Sequence, residues 1–201
     1  MKYIDLINKM PDQIFSIHDL ALIGIKIYPY QLSLWSQKKY IQKLKNGLYI
    51  ISERAKDLKI ETIAFNLYQP SYISLEWALF KYGLIPEIVF NLTSVTAKST
   101  RIFKNNFGSF FYRHLKKELF FGYRKISENG QIYLIAEPEK ALLDYLYLNS
   151  PKIKTKEDIE ELRFNEIEIK KLNKTKLKKY AKMANNKNLQ KLIHDIANVN
   201  F

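Results

Sequence analysis

The chain has 201 residues, of which 47% are hydrophobic and 14% aromatic, with six Gly, six Pro and no Cys. Those numbers exclude a disordered chain, a low-complexity tail, disulfides and Cys-based zinc sites, and they leave room for one or two domains. A formal net charge of +13 points to a polyanion as partner, nucleic acid or anionic lipid, unless lysine is simply spread over every surface.

In chain order, residues 3–10 place Ile4, Ile7 and Met10 on one side of a helix. Asp5 interrupts the first apolar stretch, which does not read as a signal peptide, and no run reaches membrane-spanning length. A cytoplasmic protein without membrane contact is expected. Pro11 and Asp12 break the first helix, and Ser16 is placed to cap a short second one over residues 18–23 that Gly24 ends. A third helix is predicted from Pro29, a favoured first-turn residue, to about Lys38. Asn46-Gly47 then separates two β-rich runs, residues 40–44 and 48–51, which is a strong hairpin signal. Three short helices and a hairpin in about fifty residues give the order of a winged helix-turn-helix.

Beyond residue 52, helices are expected over residues 55–68 and 75–82, the second capped by Ser74 and stopped at Gly83. Short strands are expected over 88–95, 110–114, 120–126 and 132–136, with Asn129-Gly130 as a second hairpin turn. A helix follows Pro138 through residue 148, and amphipathic helices are expected over 158–163, 176–183 and 189–199. The fold class is therefore α+β. A winged helix over residues 1–52 precedes a mixed domain over 53–201 that holds a small antiparallel sheet and C-terminal helices.

At 100° per residue, the third helix turns Tyr28, Leu32 and Trp35 toward a core. Tyr30, Ser33 and Gln37 fall opposite, flanked by Gln31 and Lys38, and no acid lies among them. In helix-turn-helix proteins the second helix of the pair enters the major groove. Gln pairs bidentately with adenine, and Ser or Tyr donates to bases or phosphates. Lys38, Lys39, Lys43 and Lys45 would meet the flanking backbone. An ordinary solvated helix face is the competing account, and Leu34, near the outer side, is discordant. Between residues 98 and 125, Lys98, Arg101, Lys104, Arg113, Lys116, Lys117, Arg124 and Lys125 stand against Glu118 as the one acid, with aromatics interleaved. Charge with stacking would make this a second phosphate-binding surface; a sheet with aromatics inward and cations outward gives the same pattern.

No enzyme is expected. His18, His114 and His194 are far apart, and no phosphate loop or nucleophile elbow occurs. Glu168-Ile169-Lys170, with Asp158 before it, is the one triplet of nuclease type, but it lies in a helical segment. No cofactor or metal is anticipated.

Four segments carry a family resemblance: KYIQKLKNGLYII, PSYISLEWALFKYGLIPE, LTSVTAKSTR and IAEPEKALLDYLYL, in that order. The chain resembles AbiEi-type antitoxins of abortive-infection toxin–antitoxin pairs. That resemblance implies a winged helix that binds promoter inverted repeats and represses its own operon, and a second domain with antitoxin activity. It also implies a nucleotidyltransferase-like toxin as functional partner, neutralised without need of a stable complex. The other reading is a protein-interaction module that binds a toxin or another partner through the α+β domain.

Overall fold

The computed structural model describes residues 2–153 and 156–198. Its first part is α1 (Tyr3–Lys9), β1 (Ile14–Ser16), α2 (Ile17–Leu22), α3 (Pro29–Gln37), β2 (Ile41–Lys45) and β3 (Leu48–Ile51). The local signals are used as chemistry dictates. The Ser16 hydroxyl accepts from Asp19 N at 3.0 Å while the Asp19 carboxylate accepts from Ser16 N at 2.7 Å, a reciprocal cap on α2. Gly24 has φ of 74°, the left-handed value at which glycine carries no Cβ penalty. Beyond the hairpin, Arg54 donates to the end carbonyls of α1, Ile7 O at 3.1 Å and Met10 O at 2.5 Å, supplying the bonds and the positive charge that a helix C-terminus lacks.

The three strands form an antiparallel sheet in the order β1-β3-β2. Side chains alternate across a strand, and here both sides are buried. Ile41 and Ile51 face a first core with Leu6, Phe15, Leu20, Leu32 and Trp35. Leu44, Leu48 and Ile50 face a second, larger core. A bulge between Lys43 and Lys45 shifts the register of β2.

The second part comprises α4 (Ile60–Leu67), β4 (Ser71–Ile73), α5 (Leu75–Lys81), β5 (Leu92–Thr96), β6 (Arg101–Asn105), β7 (Gly108–His114), β8 (Tyr123–Glu128), β9 (Gln131–Ala136) and α6 (Pro138–Asn149). Then come α7 (Lys156–Glu161), α8 (Glu166–Lys171), α9 (Lys174–Met183) and α10 (Lys187–Asn198). Six strands make one sheet in the order β6-β7-β5-β4-β9-β8. The chain is a mixed α+β fold, but the sheet is neither small nor purely antiparallel: β5 runs parallel to β7 and β4 parallel to β9. The parallel pairs arise because β6 lies between β5 and β7 in sequence and pairs outside β7, and because the chain crosses back to place β9 beside β4.

Other expectations shift for physical reasons. The helix expected from residue 55 begins at Ile60, because buried Gln131 accepts from Lys59 N at 2.7 Å and donates to Asp57 O at 2.6 Å, fixing a turn there. The strand expected from residue 88 begins at Leu92, and Ile88 and Phe90 are exposed. Gly122, at φ of 71°, breaks the run expected from residue 120, so β8 starts at Tyr123. The last expected helix reaches Asn198; Val199 lies outside the described residues.

The second core encloses ions. On α6, the Asp144 carboxylate accepts from Tyr72 and Ser74 hydroxyls, each at 2.9 Å, and pairs with Lys140 one turn away, all fully buried. Ser74 precedes α5 but spends its hydroxyl on Asp144 and not on a cap. The Lys140 ammonium also lies 4.9 Å from the Phe121 ring centre. Burial pushes the Asp144 carboxyl up and the Lys140 ammonium down, against the mutual attraction that favours both charges. A Cβ on Gly122 would come within 3.0 Å of the Lys140 side chain, so glycine serves both the turn and the ion pair. Among the described residues no helix is long and apolar enough to cross a membrane.

Candidate nucleic-acid interface

The α3 backbone starts at Pro29, whose missing N–H costs nothing in a first turn. Leu32 and Trp35 are buried, and Tyr3 of α1 packs on the back of this helix, edge-on to Trp35 at 5.8 Å and stacked on Tyr40 at 4.6 Å. The opposite face carries Tyr30, Ser33, Leu34, Gln37, Lys38 and Lys39, all exposed. The first turn of α3 contains no acid.

Two side chains depart from the expected wheel. Gln31 is 8% exposed, and its amide oxygen accepts from Tyr28 N at 3.1 Å, closing the first turn of the helix. The amide is drawn inward by an unsatisfied backbone donor, so Gln31 is not presented to a groove as expected. Tyr28, expected in the core, is instead 47% exposed. It stacks on Tyr30 at 5.9 Å and lies under the Lys26 ammonium at 5.3 Å. Sequence reasoning missed the exposed Lys26–Tyr28 pair because both residues precede the first turn, where helical periodicity does not hold.

In the hairpin, Lys43 and Asn46 are exposed and Lys45 is half-buried. Gly47 turns the chain at φ of 78°. With both sheet faces largely buried, the turn and the β2 edge are the hairpin's own parts that remain to meet a ligand. That edge approaches β6, where the Asn105 amide donates to Leu44 O at 3.3 Å.

The eight cations between residues 98 and 125 do not make one surface. Lys98, Arg101 and Lys104 lie at or before β6 and Arg113 on neighbouring β7, while Arg124 and Lys125 lie on β8, the opposite edge of the sheet. Lys116 and Lys117 belong to the link after β7, where Lys116 lines a hollow with Asn185 to Asn188. Sheet order separates what sequence puts together. The aromatics turn inward in part: Phe110 and Tyr112 are fully buried, whereas Tyr123 is 36% exposed.

The cations near β6 instead join the hairpin. Lys43, Lys45 and Asn46 line one side of a cleft of about 640 Å³, with Tyr68, Arg101 and Lys104 across from them. None of its lining residues is acidic. Burial, together with the charges of Lys98 and Arg101, lowers the Lys45 ammonium from its ordinary range.

Two acidic groups outside the cleft, Glu137 and Glu168, have structural partners. Glu137 pairs with Lys176 at 2.7 Å and accepts from the Tyr180 hydroxyl at 2.8 Å, holding the start of α6 against α9. Glu168 pairs with Lys171 on α8 itself. The described residues contain no group of three His, Asp or Glu placed to hold a metal ion. No family model matches the chain, and a search of curated proteins finds no significant match.

Proposed function

We propose that this protein is a sequence-specific DNA-binding transcriptional repressor whose α2–α3 pair and β2–β3 hairpin work as a winged helix-turn-helix. The observation that carries this reading is the outward face of α3, on which Tyr30, Ser33, Gln37 and Lys38 are exposed, with no acid in the helix and Lys43 on the adjacent hairpin. In this reading α3 enters the major groove, Gln37 and Ser33 read base edges, and Lys38, Lys39, Lys43 and Lys45 bind the flanking phosphates. Gln31 serves as the cap of the reading helix. Residues 1–52 are the reading domain and 53–201 the effector domain. The resemblance to AbiEi-type antitoxins adds that the operator is a pair of promoter inverted repeats, and that the α+β domain counteracts a nucleotidyltransferase-like toxin.

The test is selection of duplexes from a random library by the full chain, followed by affinity measurement across salt. A palindromic consensus, bound with affinity that falls steeply as salt rises, is the expected result. Binding without sequence preference overturns the repressor reading. A nucleotidyltransferase-like gene beside this one, whose toxicity is relieved by co-expression, supports the antitoxin part; toxicity unrelieved removes it.

A second reading, a protein-interaction module, draws on Phe90 and Ile88, which are 84% and 68% exposed in the link between α5 and β5. Loss of toxin relief in Phe90→Ser, with DNA binding intact, would favour it for the second domain.

A further inference from the structure

In and beside the cleft between the hairpin and β6 is an arrangement that the reading helix does not need. The Lys45 ammonium bonds Leu67 O and lies 5.7 Å from the Phe103 ring centre. The Lys98 ammonium bonds Gln69 O and lies 5.6 Å from the Tyr68 ring centre, over which the Arg101 guanidinium also stands at 5.9 Å. Three cations from two distant parts of the chain, Lys45 on one side and Lys98 and Arg101 on the other, are thus held by two aromatic faces and two backbone carbonyls. Each ammonium has three donors, and one carbonyl takes one of them.

The like charges repel: Lys98 and Arg101 both contribute to lowering the Lys45 ammonium. No carboxylate lines the cleft to relieve them. An anion seated here would collect donors already fixed in place and remove that repulsion. The aromatic faces are engaged by the cations, which leaves them as supports for charge and not as platforms for a base. Lys43, Lys45 and Asn46 belong both to this cleft and to the hairpin, so the cleft continues the edge that the proposed reading turns toward DNA.

We propose that this cleft is a phosphate cradle, in which Lys45 and Arg101 of its lining, with Lys98 beside them over the Tyr68 ring, grip the backbone of a DNA duplex beyond the hairpin turn. The assignment of its phosphates to a duplex rests on the DNA-binding reading above. By this proposal the α+β domain takes part in DNA binding directly, through the edge strand β6, and lengthens the footprint of the reading head. Contacts to phosphate carry no sequence information, so the cradle adds affinity and register without altering the preferred sequence.

The experiment uses the full chain and the double variant Lys98→Ala/Arg101→Ala. Both positions are exposed, and an unchanged thermal unfolding midpoint shows that the variant folds. Duplex affinity is measured across salt, and binding of inorganic tripolyphosphate is followed by amide chemical shifts. The expected result is a slope of log affinity against log salt flattened by about 2, near 0.9 for each phosphate no longer neutralised, with the same preferred sequence. Tripolyphosphate should shift Lys45, Tyr68 and Arg101 in the unaltered chain and leave Lys45 and Tyr68 unmoved in the variant. An unaltered chain that binds duplex with the same salt slope as the variant overturns the cradle and leaves the repressor reading intact. Absence of tripolyphosphate shifts at these residues also overturns it. Shifts in a chain that binds no duplex keep the cradle and sink the duplex reading.

Discussion

Of the polar residues buried in the described part of the chain, Gln31 alone belongs to the N-terminal helices and hairpin, whereas Ser74, Lys140 and Asp144 cluster in the second part. The first core is packed from aliphatic and aromatic side chains behind α3, and its one inward amide finishes a helix end. The second core surrounds an ion pair with two hydroxyl donors. The difference teaches where each part stores its specificity. The first part needs only a firm backing for an exposed face, and apolar packing of about the right volume supplies that. The second must bring β4, α5 and α6 to one arrangement, and the carboxylate of Asp144, reached by Tyr72, Ser74 and Lys140, allows few others.

The strongest challenge to that contrast is Asp144→Ala. Removing one partner leaves a buried ammonium uncompensated, which costs about 3–5 kcal/mol. Chemical denaturation should show this loss, and the paired change Lys140→Met/Asp144→Leu should cost less than Asp144→Ala alone; equal costs would mean the charge is not the source.

Next in size is Ile50→Ala. It opens a cavity in the second core from a strand of the first part and should cost about 2–5 kcal/mol. Trp35 and Trp77 are the two tryptophans of the chain, one on the inner face of α3 in the first core and one packed against the second core. Single-tryptophan variants should report one coincident unfolding transition, moved by Ile50→Ala at both probes. Separate transitions would show that the shared hairpin does not couple the cores.

The reading face gives an intermediate effect. Gln37→Ala should relax operator preference by about 1–3 kcal/mol, the worth of a good base contact. Gln31→Ala should leave preference alone and lower stability by roughly 0.5–2 kcal/mol, the worth of a cap. Reversal of these two outcomes would put Gln31 in the groove and undo the assignment of the inward amide.

The smallest effect is electrostatic. Burial alone would raise the Glu137 carboxyl, but the Lys176 and Tyr180 contacts outweigh it and hold it below its ordinary range. A depressed carboxylate stabilises the fold above the usual carboxylate range and loses that contribution as pH falls through the folded value. Stability measured on acidification should therefore fall by an amount on the order of 0.5 kcal/mol more in the parent than in Glu137→Gln, since the pair is partly exposed. An identical acid profile would deny the pair any role in docking α9.

Signals that act over a few residues were legible: the Ser16 cap, Pro29, the turns at Asn46-Gly47 and Asn129-Gly130, and the helix after Pro138. β4 was not, because three residues buried on both sides show no alternation. β6 was hidden by its mostly exposed edge position. The back and front of α3 were read from the wheel, but the wheel weighs side-chain polarity alone, and Gln31 answers to an orphan backbone N–H. The cleft is beyond any local pattern. Its residues come from positions 43–46, 68, 101 and 103–106, and only the tertiary fold brings them together.

The hairpin with two buried faces has a consequence for how such a protein can be re-engineered. A reading head cut after Ile51 would carry Leu44, Leu48 and Ile50 bare into water, an adhesive stripe in place of a finished surface. A foreign head would fit this body only if it carried equivalents of those three side chains on its own side of the seam. Under the proposed repressor reading, a change of operator would be sought in the outward residues of α3, leaving the seam as it stands.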